Sequence, residues 1–277
     1  MYLDTVNGFA AAAAKKALLA RRFPLSFLVG AMMAGAYVGL GIILIFSVGA
    51  TIDPAWQRLV MGASFGIALT LVVFAGSELF TGLTMIMPLG WLRQQVGAGD
   101  LATVWAYSWL GNLLGALVLA AVFFAGGGGV MLGDGAPLLF KVAGAKMNAP
   151  AAELFARAVL CNWLVCLALW MAARTTSDTA KLGAIFWCLF AFIASGYEHS
   201  VANMSLFAIA LLGQHPEAIS VAGMMHNLFW VSLGNTLAGA LFMAGAYWFA
   251  ARMELAPPVR SVPRAAQVAG ASGDDLG

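Results

Sequence analysis

The stretch Ala194 to Leu206, ASGYEHSVANMSL, sets Gly196, Glu198, His199 and Asn203 inside an otherwise apolar run. A charge at the centre of a membrane helix costs on the order of 2.5 to 3.5 kcal/mol, so a carboxylate in such a place marks either a function or a special backbone. The surrounding chain demands a membrane: 62% of its 277 residues are hydrophobic and 9% charged, too apolar for a water-soluble core.

Long apolar stretches run from Leu25 to Gly49, Leu59 to Leu89, Leu101 to Ala125, Ala151 to Ala173, Leu182 to Leu212 and Val221 to Ala250. Each is long enough to cross about 30 Å of hydrocarbon at about 1.5 Å per residue. The runs are continuous and do not alternate, which argues against strands. The fold class expected is an all-α membrane protein of six transmembrane helices. Residues 1–24 are expected to form an interfacial N-terminal segment, 25–250 a transmembrane domain and 251–277 a disordered tail rich in Pro, Ala and Gly. Lys15, Lys16, Arg21 and Arg22 precede the first run, and Arg93, Arg174 and Lys181 share their side of the membrane. The positive-inside bias therefore places both termini in the cytoplasm. Arg58, Lys141, Lys146 and Arg157 fall toward the other face.

The second and fifth runs, about 30 residues each, would measure about 45 Å as straight helices. Both hold glycine and polar residues near the middle, AGSELFTG at Ala75 to Gly82 and SGYEHSVAN at Ser195 to Asn203, so both are expected to break. Aligning Gly76 with Gly196 also aligns Glu78 with Glu198. Beyond them, Leu110-Gly111-Asn112 answers Leu233-Gly234-Asn235, and each triplet leads into Gly-Ala-Leu. Three crossings per half invert the second copy, giving a three-plus-three inverted repeat with a site near the midplane. His199 aligns with Leu79, so the frame is symmetric and its chemistry is not.

Glu78 and Glu198, at matching positions, are read as parts of the broken-helix frame. They either cap N–H groups where a helix restarts or hold the broken segment to a neighbour. His199 is the candidate for chemistry, as hydrogen-bond donor or proton donor to a passing anion. Thr81 offers a hydroxyl, and Lys146, near the start of the fourth crossing, a positive charge at the external side. The connection Gly126 to Pro150, which begins with four consecutive glycines, is expected as the longest loop. Asn112, Asn162, Asn227 and Asn235 read as interhelical hydrogen-bond partners. Cys161, Cys166 and Cys188 read as small buried hydrophobes, and no metal or cofactor motif is visible. There is no nucleophile with a partner, which argues against an enzyme, and no basic cluster with aromatics of the kind nucleic acid requires.

AGSELFTG, CNWLVCLALWM at Cys161 to Met171, SGYEHSVANM at Ser195 to Met204, the two Leu-Gly-Asn triplets and GAYVGLGIILIFSVG at Gly35 to Gly49 together resemble the formate/nitrite transporter family, most closely its nitrite channel branch. The resemblance spans Ala10 to Trp248. It implies an aquaporin-like fold, a homopentamer in the lipid bilayer of a bacterial inner membrane, and one pore per protomer carrying nitrite or a similar small anion. It also implies that His199, Thr81, Lys146 and Asn162 line the substrate pathway. The implied constrictions are Phe65 and Phe192 toward the outside, and Leu69 and Phe80 toward the cytoplasm.

Formate or another short monocarboxylate is the alternative within that class. From another class, a neutral-solute channel for water or glycerol shares the helix plan, but the paired Asn-Pro-Ala segments expected of it are missing from the sequence.

Overall fold

The computed structural model describes residues 1–252, and every regular element among them is helical. Five helices are long and apolar enough to span a bilayer: Pro24–Gly49, Pro54–Ala75, Ala98–Ala125, Ala151–Ala172 and Val221–Ala250. The chain therefore crosses a membrane several times.

The helices, in order, are α1 (Leu3–Arg22), α2 (Pro24–Gly49), α3 (Pro54–Ser64), α4 (Gly66–Ala75), α5 (Phe80–Leu92), α6 (Ala98–Ala125), α7 (Gly129–Leu132), α8 (Ala136–Met147), α9 (Ala151–Ala172), α10 (Asp178–Ala194), α11 (Ser200–Leu212) and α12 (Val221–Leu237). A π-helical stretch, Ala238–Gly245, then leads into α13 (Ala246–Ala250). The run Leu59 to Leu89 is divided among α3, α4 and α5, with four non-helical residues between Ala75 and Phe80. The run Leu182 to Leu212 is divided between α10, of 17 residues, and α11, of 13.

Two expectations need correction in detail. The connection Gly126 to Pro150, expected as a loop, carries α7 and α8. Proline near the start of α8 is pre-set for a helix, and Leu139, Ala143 and Met147 recur every fourth residue as a buried stripe. Lys146 accordingly sits in the last turn of α8, one helix earlier than the span it was expected to open. The N-terminal segment is a helix that buries Val6, Ala10, Ala13, Ala17 and Ala20 along one face and packs on α5. From residue 253 onward the expected tail lies outside the described residues.

α2 and α6 pack so closely that a Cβ on Gly35 would collide with the backbone carbonyl of Asn112, and one on Gly115 with that of Met32. Small residues on both helices permit this approach, and it brings Asn112 within reach of the backbone opposite.

Candidate functional site

Two helix interruptions, at 76–79 and 195–199, each lead into a buried turn. Gly76 (φ +78°) and Gly196 (φ +73°) take the left-handed conformation that side chains disfavour, and each turns its chain out of a helix. The helices that restart, α5 and α11, begin with buried N–H groups that no lipid could satisfy. An asparagine from another helix answers each. Asn112 on α6 accepts from the Phe80 N–H at 2.9 Å and donates Nδ2 to the carbonyls of Ala31 (2.8 Å) and Glu78 (2.9 Å). Asn235 on α12 accepts from the Ser200 N–H at 3.0 Å and donates to the carbonyls of Ala158 (2.8 Å) and Glu198 (3.1 Å). Each amide ties three elements together, and the first N–H of each restarted helix is answered by an asparagine.

The carboxylates of Glu78 and Glu198 point to lysines. Glu78 pairs with Lys16 of α1. Glu198 is 2% exposed and pairs with Lys146 at 2.9 Å. The same oxygen of Glu198 accepts Nδ2 of Asn203 at 2.7 Å, and Asn203 also donates to Asn227 at 2.9 Å. A buried carboxylate with both a cation and an amide is well compensated.

His199 is the N-cap of α11, its Nδ1 accepting the Ala202 N–H at 3.1 Å. With Nδ1 as acceptor, the ring carries its proton on Nε2. Nε2 lies 3.0 Å from Oγ1 of Thr81, in the first turn of α5. The Thr81 carbonyl accepts from Thr84 Oγ1 (2.6 Å), Asn162 Nδ2 (3.2 Å) and Cys166 Sγ (3.5 Å), which fixes that turn. Asn162 also donates to the carbonyl of Asn235 at 2.6 Å, so one residue ties the restarted α5 to α12, whose Asn235 answers the first N–H of α11. Its own Oδ1, though buried, has no partner among the described residues.

A cavity of about 300 Å³ opens above the histidine, with Arg58, Lys141 and Lys146 among its walls and Phe192 and His199 at its inner end. Beyond it a gap of only about 10 Å³ is enclosed by apolar side chains, Phe65, Leu69, Leu79 and Phe192 among them, with His199 as its polar lining residue. Space of that size holds about one water. Phe65 and Phe192 meet edge to face with ring centroids 5.6 Å apart, and Phe192 stacks on the His199 ring at 5.9 Å.

The structure thus brings Phe65, Leu69, Phe192 and His199 to one gap, sets Thr81 against the histidine, and places Lys146 on the wall of the larger cavity. Thr81, Phe80 and Asn162 line neither space: Thr81 is fully buried against His199, Phe80 is buried at the start of α5, and Asn162 braces the backbone at Thr81. Sequence reading did not find Lys16 as the counterpart of Lys146, because the two lysines are spaced differently from their glutamates. The Leu-Gly-Asn triplets were visible, yet nothing local said that each amide reaches a helix start. Among the described residues no group of side chains is arranged to hold a metal.

A family model described as formate/nitrite transporter matches residues 4–249. The chain is similar to the nitrite transporter NirC of Salmonella typhimurium, 55% identical over 250 residues that cover 90% of this chain and 92% of the relative. Of solved structures, it resembles an FNT family ion channel with a TM-score of 0.87 at 55% identity, covering 90% of this chain and 99% of that one. It also resembles a pentameric formate channel with formate bound, with a TM-score of 0.70 at 25% identity, covering 84% and 98%.

Proposed function

This chain belongs to the formate/nitrite transporter family, and on that premise we propose that it is a channel for nitrite, with one anion pathway per protomer running past His199 and Thr81. Like the transporters and channels it resembles, it is not an enzyme. The observation that carries the reading is the hydrogen-bonded His199–Thr81 pair at the floor of a cation-lined cavity, beside a gap walled by aromatic and aliphatic side chains.

A small anion entering that gap must shed water, at great cost unless polar donors replace it. The Nε2–H of His199 is the donor at the gap, and the hydroxyl of Thr81 stands 3.0 Å from that nitrogen. Because Nδ1 is held by the Ala202 N–H, handing the Nε2 proton to an anion would leave a negative ring in an apolar gap. Proton donation needs a doubly protonated ring, which forfeits the cap, about 1 kcal/mol. The arrangement therefore supports hydrogen-bond donation over proton transfer as the role of His199. Lys146 is read as a pathway residue and Asn162 as the brace of the Thr81 turn. Phe65 and Phe192 are the outer constriction, Leu69 and Phe80 the cytoplasmic one.

Six crossings in a three-plus-three inverted repeat, with the second and fifth broken, are the architecture proposed. Support comes from the matched bonds of Asn112 and Asn235 and the matched pairs Lys16–Glu78 and Lys146–Glu198. Glu78 and Glu198 then belong to the frame. Residues 1–24 are the interfacial segment and 25–250 the channel domain. The resemblance to a pentameric channel supports a homopentamer, and the basic residues of α1 and of the stretch after α9 support cytoplasmic termini in a bacterial inner membrane. Formate is the second reading, favoured by the formate-bound neighbour.

Nitrite uptake by proteoliposomes containing the full chain tests the proposal. Uptake is expected with the unmodified protein and its loss with His199→Phe; uptake unchanged in that variant removes the histidine from the mechanism, and competition with formate ranks the two anions.

A further inference from the structure

Four cations border the outer cavity and the adjoining space of about 260 Å³: Arg58 of α3, Lys141 and Lys146 of α8, and Arg157 of α9. Two of them are already matched by carboxylates. Lys146 is held 2.9 Å from Glu198, and Arg157 lies 2.5 Å from Glu153. Arg58 and Lys141 line both spaces, are exposed to them, and among the described residues have no carboxylate within ion-pairing distance. The uncompensated positive charge at this mouth is theirs. The charge of Lys146 is committed to a buried glutamate, and an anion seen from the cavity meets that lysine as half of a neutral pair.

We infer that Arg58 and Lys141 form an outer capture site for small monovalent anions, ahead of the His199–Thr81 pair, and that they set how much anion the cavity holds. The inference rests on the reading of this cavity as the entrance of an anion pathway. Arg58 offers a planar fork that can grip two oxygens of one anion, whereas Lys141 offers a point charge, and the pair stands on two different helices facing one volume. Two unit charges about 8 Å from an ion in water raise its local concentration about five-fold at low salt. The effect fades once the Debye length falls from about 30 Å at about 0.01 M to about 3 Å at about 1 M.

The test is nitrite uptake into proteoliposomes at graded nitrite, at low and high ionic strength, with the unmodified chain, Arg58→Gln/Lys141→Gln and Arg58→Lys/Lys141→Arg. At low ionic strength the neutral double variant should need about five-fold more nitrite for half-maximal uptake, with the maximal rate unchanged. The charge-retaining variant should behave as the unmodified protein. The difference should vanish at high ionic strength, and the unmodified protein's own half-saturation should rise with salt by the same factor. Half-saturation that is indifferent to the two charges, or indifferent to salt in the unmodified protein, overturns the inference while leaving the channel intact. Absence of uptake by the unmodified protein overturns the nitrite reading itself, and the capture site with it.

Discussion

Nε2 of His199 and Oγ1 of Thr81 lie 3.0 Å apart although 118 positions separate them in the chain. Thr81 stands in the first turn of α5 and His199 at the N-cap of α11, so the contact depends on both restarts being held in place.

Removing the hydroxyl should leave a buried ring N–H without a partner and the pathway short of a donor, a loss of about 1 to 3 kcal/mol. Thr81→Val is expected to lower nitrite uptake about ten-fold or more, and Thr81→Ser to stay within about two-fold of the unmodified protein. Equal rates for the two variants would show that the hydroxyl has no part in passage.

The ring should carry its proton on Nε2 at neutral pH, since Nδ1 accepts the Ala202 N–H. Nitrogen NMR of selectively labelled protein in bilayers reads the tautomer directly. A doubly protonated ring would contradict the cap and restore proton transfer as the simpler mechanism.

Asn235→Leu removes three inter-element hydrogen bonds, at about 0.6 kcal/mol each in a membrane protein, and should destabilise the fold by about 2 kcal/mol. Asn112→Leu should lose a similar amount for the same reason. Equilibrium unfolding in mixed micelles measures both, and no loss in either would mean the helix starts are satisfied in another way.

Lys146→Met alone strands a buried carboxylate and should destabilise by about 3 to 5 kcal/mol. Combining it with Glu198→Gln removes both charges and should recover most of that loss, because the penalty belongs to the unpaired charge more than to the lost attraction. A double-mutant cycle with no coupling would show that the 2.9 Å pair contributes nothing.

Gly35→Val drives a side chain into the backbone of Asn112 and should prevent α2 and α6 from closing, read as failure to extract a folded oligomer. Gly99→Ala, where nothing lies within 4 Å of the added carbon, should be neutral or stabilising by up to about 1 kcal/mol.

Helix content, the apolar runs and the matched glycine–glutamate positions were legible because they are written in local composition and spacing. Phe65, Leu69 and Phe192 were named from resemblance, and the structure puts them at one gap with His199. Phe80 was named the same way and lies outside that gap: as the first residue of α5 its place is set by the amide of Asn112 on its N–H. The stripe Leu139, Ala143, Met147 was present in the sequence, yet the four glycines that open the connection made the whole of it read as a loop.

The sequence by itself determined that this chain lives in a membrane, that two of its apolar runs carry costly polar interruptions, and that His199 is unmatched between the halves, since hydropathy and pattern are properties of neighbouring residues. Only the tertiary structure decided what satisfies those interruptions. The first N–H groups of the restarted helices are answered by Asn112 and Asn235, the counter-charges come from Lys16 and Lys146, and the partner of His199 is Thr81. A buried N–H or carboxylate announces in the sequence that it needs a partner. Which distant side chain supplies it depends on how closely helices such as α2 and α6 approach, and that distance is fixed by packing across the whole molecule.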